Sequence, residues 1–201
     1  MRWCRKLAEL LVVLMLAVSA GALAAEIEIR NAQLSPEDGG QALSADFSID
    51  FNPRLEEAVS KGLVLHFVAE FELNRPRWYW FDEKVVRTQQ TWRLNYHALT
   101  QKYRLSNGAL HLTLSSLSEA VHILSRLRNW LVIERDRATP GDSFEAALRM
   151  RLDTSQLPKP FQVEALSNRD WVLSSDWKRW HYTVPSPAPA LPPVPAGGES
   201  K

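Results

Sequence analysis

Strict alternation of apolar and polar side chains is the feature that most limits what this chain can become. Ala45, Phe47, Ile49 and Phe51 alternate with Ser44, Asp46, Ser48 and Asp50. A period of two places one set on one face of a strand and the other set on the opposite face. Leu63, Leu65, Phe67, Ala69, Phe71 and Leu73 repeat the pattern, as do Phe144, Ala146, Leu148, Met150 and Leu152 against Glu145, Arg149, Arg151 and Asp153. Ile27 and Ile29 alternate with Glu26, Glu28 and Arg30. A chain built this way must press one face of a sheet against a second layer.

Breakers divide these runs. Ser35 to Gly40 (SPEDGG) separates the first two into an antiparallel hairpin. Asn52-Pro53 ends the second, and Pro53 to Lys61 can form a short helix stopped by Gly62. Arg75-Pro76 interrupts the long third run. Val85 to Tyr96 and Tyr103 to Leu105 fit further strands, and Asn107-Gly108 makes a tight turn into Leu110, Leu112 and Leu114. Ser116 to Glu119 is a capping-box pattern, and Leu117, Val121, Leu124, Leu127 and Leu131 follow at three- or four-residue spacing, which predicts a helix of about three turns. Leu157 to Phe161, with two prolines, reads as extended or turn-like, and Trp177 to Val184 as the last strand. Short strands with turns between them, no βαβ rhythm and no GxGxxG predict a mainly β domain, an antiparallel β-sandwich with one or two inserted helices.

The two ends differ from this domain. Arg2, Arg5 and Lys6 precede the apolar run Leu10 to Val18, and Ala22-Leu23-Ala24 follows, the layout of a secretory signal peptide over residues 1–25. The alternative is an uncleaved membrane anchor, against which the apolar part counts by being shorter than the roughly 20 residues a spanning helix needs. From Pro185 onward six prolines precede Gly197-Gly198, a composition that cannot form a core and predicts a disordered tail over 185–201. The domain proper is 26–184. Removal of residues 1–25 takes away Arg2, Arg5, Lys6 and Glu9 and leaves 21 basic against 22 acidic side chains. Such a balance argues against nucleic acid or anionic lipid as a bulk electrostatic partner. It also removes Cys4, so disulfides, thiolate metal sites and thiol nucleophiles are excluded from the exported form.

Chemistry-bearing patterns are sparse. His66, His97, His111, His122 and His181 form no HExxH pair, and no GxSxG, SxxK or phosphate loop is present. No catalytic residue, metal site or cofactor is expected. Asp46, Asp50, Glu70 and Glu72 alternate with apolar residues and read as the wet face of strands, as does His66. Arg126, Arg128, Arg135 and Arg137 read as a solvated helix face and its continuation. One stretch stands out: Arg75, Arg77, Trp78, Tyr79, Trp80 and Phe81 combine adjacent aromatics with arginines. It suits either a recognition patch for a glycan, an extended peptide or a protein, or an aromatic core corner.

The block FDEKVVRTQQTWRLNYHALTQKYRLSNG, with Tyr96, Leu99, Tyr103 and Leu105, and the ending LPKPFQVEALSNRDWVLSSDW, with Asp170-Trp171, resemble the bacterial domain-of-unknown-function family numbered 4390. The resemblance covers Glu26 to Val184. It implies a Gram-negative envelope protein whose gene often lies near a sensor histidine kinase of the nitrogen-regulation type, and it carries no catalytic residue with it. The expectation is therefore a non-enzymatic periplasmic binding or accessory module for a membrane sensor or other envelope partner. The alternatives are a cell-wall glycan enzyme or glycan-binding module, and a carrier of small apolar ligands.

Overall fold

The alternating runs pair into two antiparallel sheets. The computed structural model describes residues 27–77, 79, 83–108 and 110–186, so the expected signal segment and most of the proline-rich tail lie outside the described residues. The first sheet has the order β1-β2-β7, from β1 (Ile27–Glu37), β2 (Gly40–Ile49) and β7 (Arg126–Glu134). The second has the order β6-β5-β4-β3-β8-β9, from β3 (Leu65–Arg75), β4 (Glu83–His97), β5 (Lys102–Asn107), β6 (Leu110–Leu114), β8 (Ser143–Leu152) and β9 (Lys178–Thr183). Among the described residues three α-helices are inserted: α1 (Pro53–Ser60), α2 (Leu117–Leu124) and α3 (Lys159–Ser167). The mainly β, sandwich-like architecture is the one the alternation predicts.

Side chains of one parity from each sheet make the core. Leu43, Ala45 and Phe47 from β2 meet Leu65, Phe67, Phe71 and Leu73 from β3, with Trp92 and Leu94 of β4 and Phe144, Leu148 and Met150 of β8. Each large apolar side chain fully buried there contributes about 1.5–3 kcal/mol, and the sandwich holds with no disulfide. The β1–β2 strands run farther into the turn than the SPEDGG signal implied: Glu37 still pairs with Gly40, and only Asp38-Gly39 turn. A Cβ on Gly40 would lie 1.9 Å from the Ile133 carbonyl oxygen, so the close approach of β2 to β7 needs glycine there.

Three local expectations are corrected. Helix α2 stops at Leu124, after two turns, and Arg126–Glu134 is strand β7. The helical spacing of Leu127 and Leu131 coincides with a strand bulged at Asn129, whose φ is 49°. The run Trp130 to Ile133 carries aromatic and β-branched residues that favour a strand. Arg126 and Arg128 therefore sit on β7, where Arg128 donates to the Ala45 carbonyl at 2.9 Å and pairs with Asp46. Second, Leu157 to Phe161 is no extended connection but leads into α3. Pro158 is its N-cap and Pro160 lies in its first turn, where a missing N–H costs nothing.

The third correction concerns the outer face of the six-stranded sheet. Glu70 is 7% exposed and not wet. Arg149 Nε donates to its Oε2 at 2.9 Å, and Arg151 Nε and Nη2 donate to its Oε1 at 3.2 and 3.1 Å. Arg149 also stacks 4.6 Å from the Trp177 ring centroid. Burial pushes the Glu70 carboxyl up, but the two guanidiniums outweigh it through hydrogen bonds and charge, and its pKa falls below the usual value. His66, beside Arg93 in the register, is half-buried, and its Nδ1 has no hydrogen-bond partner among the described residues. Burial first, and then the Arg93 charge, hold its pKa below the ordinary imidazole value.

Candidate binding groove

A wide concavity forms where β2 leaves the sandwich. Asn52 caps α1, its Oδ1 accepting from Leu55 N at 2.8 Å, and its Nδ2 donates to the Asp170 carbonyl at 2.6 Å. The helix buries Leu55, Ala58 and Val59 and leaves Glu56, Glu57 and Ser60 on the other side. Ser116 caps α2, its Oγ accepting from Glu119 N at 3.1 Å. Glu119 reaches back to Ser115, accepting from its N at 3.0 Å and its Oγ at 2.9 Å. These bonds hold the Glu119 carboxyl below its ordinary pKa. The capping-box reading thus holds, displaced by one residue in its return bond.

Between these two helices lies an open groove of about 930 Å³. Phe47, Ile49, Phe51, Tyr103, Leu117 and Val121 give it apolar lining, and Asp50, Glu56, Glu57, Arg30 and His122 give it a polar rim. The floor is braced from beneath: the Phe51 and Phe67 rings lie 5.8 Å apart, and Tyr96 and Tyr103 4.9 Å. Arg30 donates to Ser48 Oγ at 2.9 Å. Lys61 pairs with Glu57 and, by hydrogen bond before charge, lowers its pKa. Asp50 and Glu56 have no hydrogen-bond or ion-pair partner for their carboxylates among the described residues, and against Arg30, which is bonded to Ser48 Oγ, they leave the rim with an excess of negative charge.

A second pocket, of about 480 Å³, lies between α1 and α3. Trp171 and Phe161 line it with their rings 5.4 Å apart, and Arg54 of α1 pairs across it with Glu164 of α3. Trp171 is 1% exposed, and its indole Nε1 has no hydrogen-bond partner among the described residues.

The aromatic-arginine stretch lies at the opposite end of β3. Trp78, Trp80 and Phe81 fall outside the described residues. Arg75 is held 3.3 Å from Asp142 and 4.0 Å from Glu83, with its guanidinium 5.2 Å from the Phe144 ring centroid. Arg77 pairs with Glu83, and Tyr79 is exposed. Both arginines of the expected patch are thus engaged by carboxylates of the chain itself. The groove residues were not singled out from sequence as a site, because Asp50 and Glu56 are ordinary polar residues on separate elements. Only the meeting of α1, α2 and the end of β2 makes them neighbours.

Among the described residues, no three His, Cys, Asp or Glu side chains cluster as a metal site, and no helix is long and apolar enough to cross a membrane. No curated protein and no solved structure matches the chain. The family model described as domain of unknown function DUF4390 matches residues 24–181. That stretch takes in every strand except the end of β9, all three helices and the groove, and the chain therefore belongs to the DUF4390 family.

Proposed function

We propose that the domain is a non-enzymatic binding module of the bacterial cell envelope, exported by its N-terminal signal, that receives an extended segment of an envelope protein in the groove between α1 and α2. The observation that carries this reading is the pairing of an apolar floor (Phe47, Phe51, Tyr103, Val121) with the unpartnered carboxylates Asp50 and Glu56. An extended segment alternating apolar and basic side chains would bury the first against the floor and satisfy the second at the rim. The extracytoplasmic part of a membrane sensor is the first partner to examine.

A photo-crosslinker at His122, which is exposed on the groove wall, tests the reading in intact cells. The expected result is one dominant envelope protein, linked through a segment with basic residues and lost when Asp50 and Glu56 are both changed to Arg. Crosslinks that survive the double reversal unchanged would refute it. The Trp171 pocket supports a second reading, a carrier of a small aromatic or apolar ligand. Native mass spectrometry of the protein purified from envelopes should then show a bound mass that Phe161→Ala releases, and its absence would remove that reading.

A further inference from the structure

Strand β2 has a partner on each side for most of its length and loses one of them at the groove. Every second residue of a strand turns its N–H and C=O to the same side. The Ala45 carbonyl accepts from Arg128 of β7 at 2.9 Å, and Phe47 N–H donates to the Ser125 carbonyl, just before β7, at 2.8 Å. The backbone groups of these alternate residues therefore face β7, and Ile49 is the next in the series. Asp46 pairs with Arg126, where β7 begins, and no residue of β7 reaches as far as Ile49. Ser125 returns no bond to Phe47 either: its N–H donates to the Val121 carbonyl at 2.8 Å, closing the last turn of α2. The Phe47 carbonyl and both backbone groups of Ile49 are thus left without a partner strand, and no other described element bonds to them.

These groups open into the groove. Ser48, Ile49, Asp50 and Phe51 all line it, together with Val121 and Ser125 of the α2 wall. Adjacent residues of a strand point to opposite faces, so a cavity lined by four in a row runs along the edge of the strand and not over one face. The outer edge of the same sheet is treated differently. Lys178 Nζ donates to the Ile29 and Arg30 carbonyls of β1 at 3.1 Å each, closing that edge with a lysine. No described side chain bonds to the edge at Ile49. A donor and acceptors set at strand spacing are matched in order only by another extended main chain, and this singles out what fills the place.

We propose that the segment received in the groove binds as an added strand, antiparallel to β2 and in line with β7, with its main chain bonded to Ile49 and Phe47. It rests on the proposed occupancy of the groove and adds how the segment is held. One residue of the segment lies opposite Ile49, accepts from its N–H and donates to its C=O. Its side chain shares a face with Phe47, Ile49 and Phe51, which selects an apolar residue. The residue before it lies opposite Asp50 on the other face, where a basic side chain meets the unpartnered carboxylate. The partner class is an extended peptide with a basic residue directly before an apolar one, recognised in large part through its backbone.

The test uses the full chain and a fluorescein-labelled peptide of alternating lysine and valine, KVKVKVK. Two analogues carry methyl groups on backbone nitrogen, one at the valines and one at the inner lysines. In the proposed register the valine N–H groups point to β2 and the lysine N–H groups away from it. By fluorescence anisotropy the parent and the lysine-methylated peptide should bind within about twofold of each other, and the valine-methylated peptide about tenfold or more weaker. Adding the parent peptide should also slow amide exchange at Ile49 and leave Ser48, which faces β1, unchanged. Equal affinity of all three peptides would mean a groove filled by side chains alone; it overturns strand addition and leaves the occupancy of the groove intact. No binding by the parent peptide overturns strand addition as well. The occupancy itself falls by a different result, a crosslink at His122 that ignores the reversal of Asp50 and Glu56, so the two failures are distinguishable.

Discussion

Replacing Glu70 by Gln leaves the side-chain shape intact and removes the one negative charge between Arg149 and Arg151. Breaking a buried pair by removing one partner costs about 3–5 kcal/mol, because the partner keeps an uncompensated charge. Here each arginine side chain is 31% exposed and Arg151 keeps Asp153 at 3.4 Å, so only part of that charge is left uncompensated and the expected loss is about 2 kcal/mol. For a domain of this size that lowers Tm by about 4–8 °C. The folded pKa of Glu70 lies below its unfolded value. Its contribution is therefore complete above the ordinary glutamate pKa, about 4.3. It is lost as pH falls through the folded pKa. Thermal melts of parent and Glu70→Gln should differ fully at pH 7 and converge as pH falls well below 4. A double variant, Glu70→Leu with Arg149→Met, removes one charge of each sign and leaves Arg151 its 3.4 Å pair with Asp153, and should recover part of the loss. A Glu70→Gln effect below about 0.5 kcal/mol at pH 7, or a gap that does not close in acid, would refute the assignment of Glu70 as a buried ion-pair centre.

Gly40→Ala should destabilise by more than about 3 kcal/mol in urea unfolding, since its Cβ would overlap the Ile133 carbonyl oxygen and either β2 or β7 must move. Ser116→Ala, which removes only the α2 cap, should cost about 1 kcal/mol by the same measurement. Asn52→Asp keeps the α1 cap but loses the donor to the Asp170 carbonyl. It should retain α1 yet increase amide exchange over residues 169–171, whereas Asn52→Ala should increase exchange in both segments.

Much of the fold was legible because period two is a direct physical signature. The Leu65 to Leu73 alternation placed the core face of β3, and Asn52-Pro53, Ser116 and Asn107-Gly108 marked their boundaries. What failed did so where two signals overlapped. Leu127 and Leu131 fit a helical spacing by accident of the bulge at Asn129, and the prolines at 158 and 160 read as helix breakers although they sit where a helix tolerates them. Glu70 obeyed the alternation and still became buried, because alternation says which face a residue occupies and nothing about what covers that face. Arg149, Arg151 and Trp177 supply the cover from positions about 80 to 107 residues away.

The sequence by itself determined the strands, the faces that must be buried and the family. Those properties are local or compositional, and a single chain segment suffices to state them. Only the tertiary structure decided that Asp50, Glu56, Tyr103 and Val121 share one groove, that Arg75 and Arg77 are engaged by Asp142 and Glu83, and that β7 begins too late to pair with Ile49. Each of these depends on strand order and register, which bring together residues far apart in the chain and which no local pattern encodes.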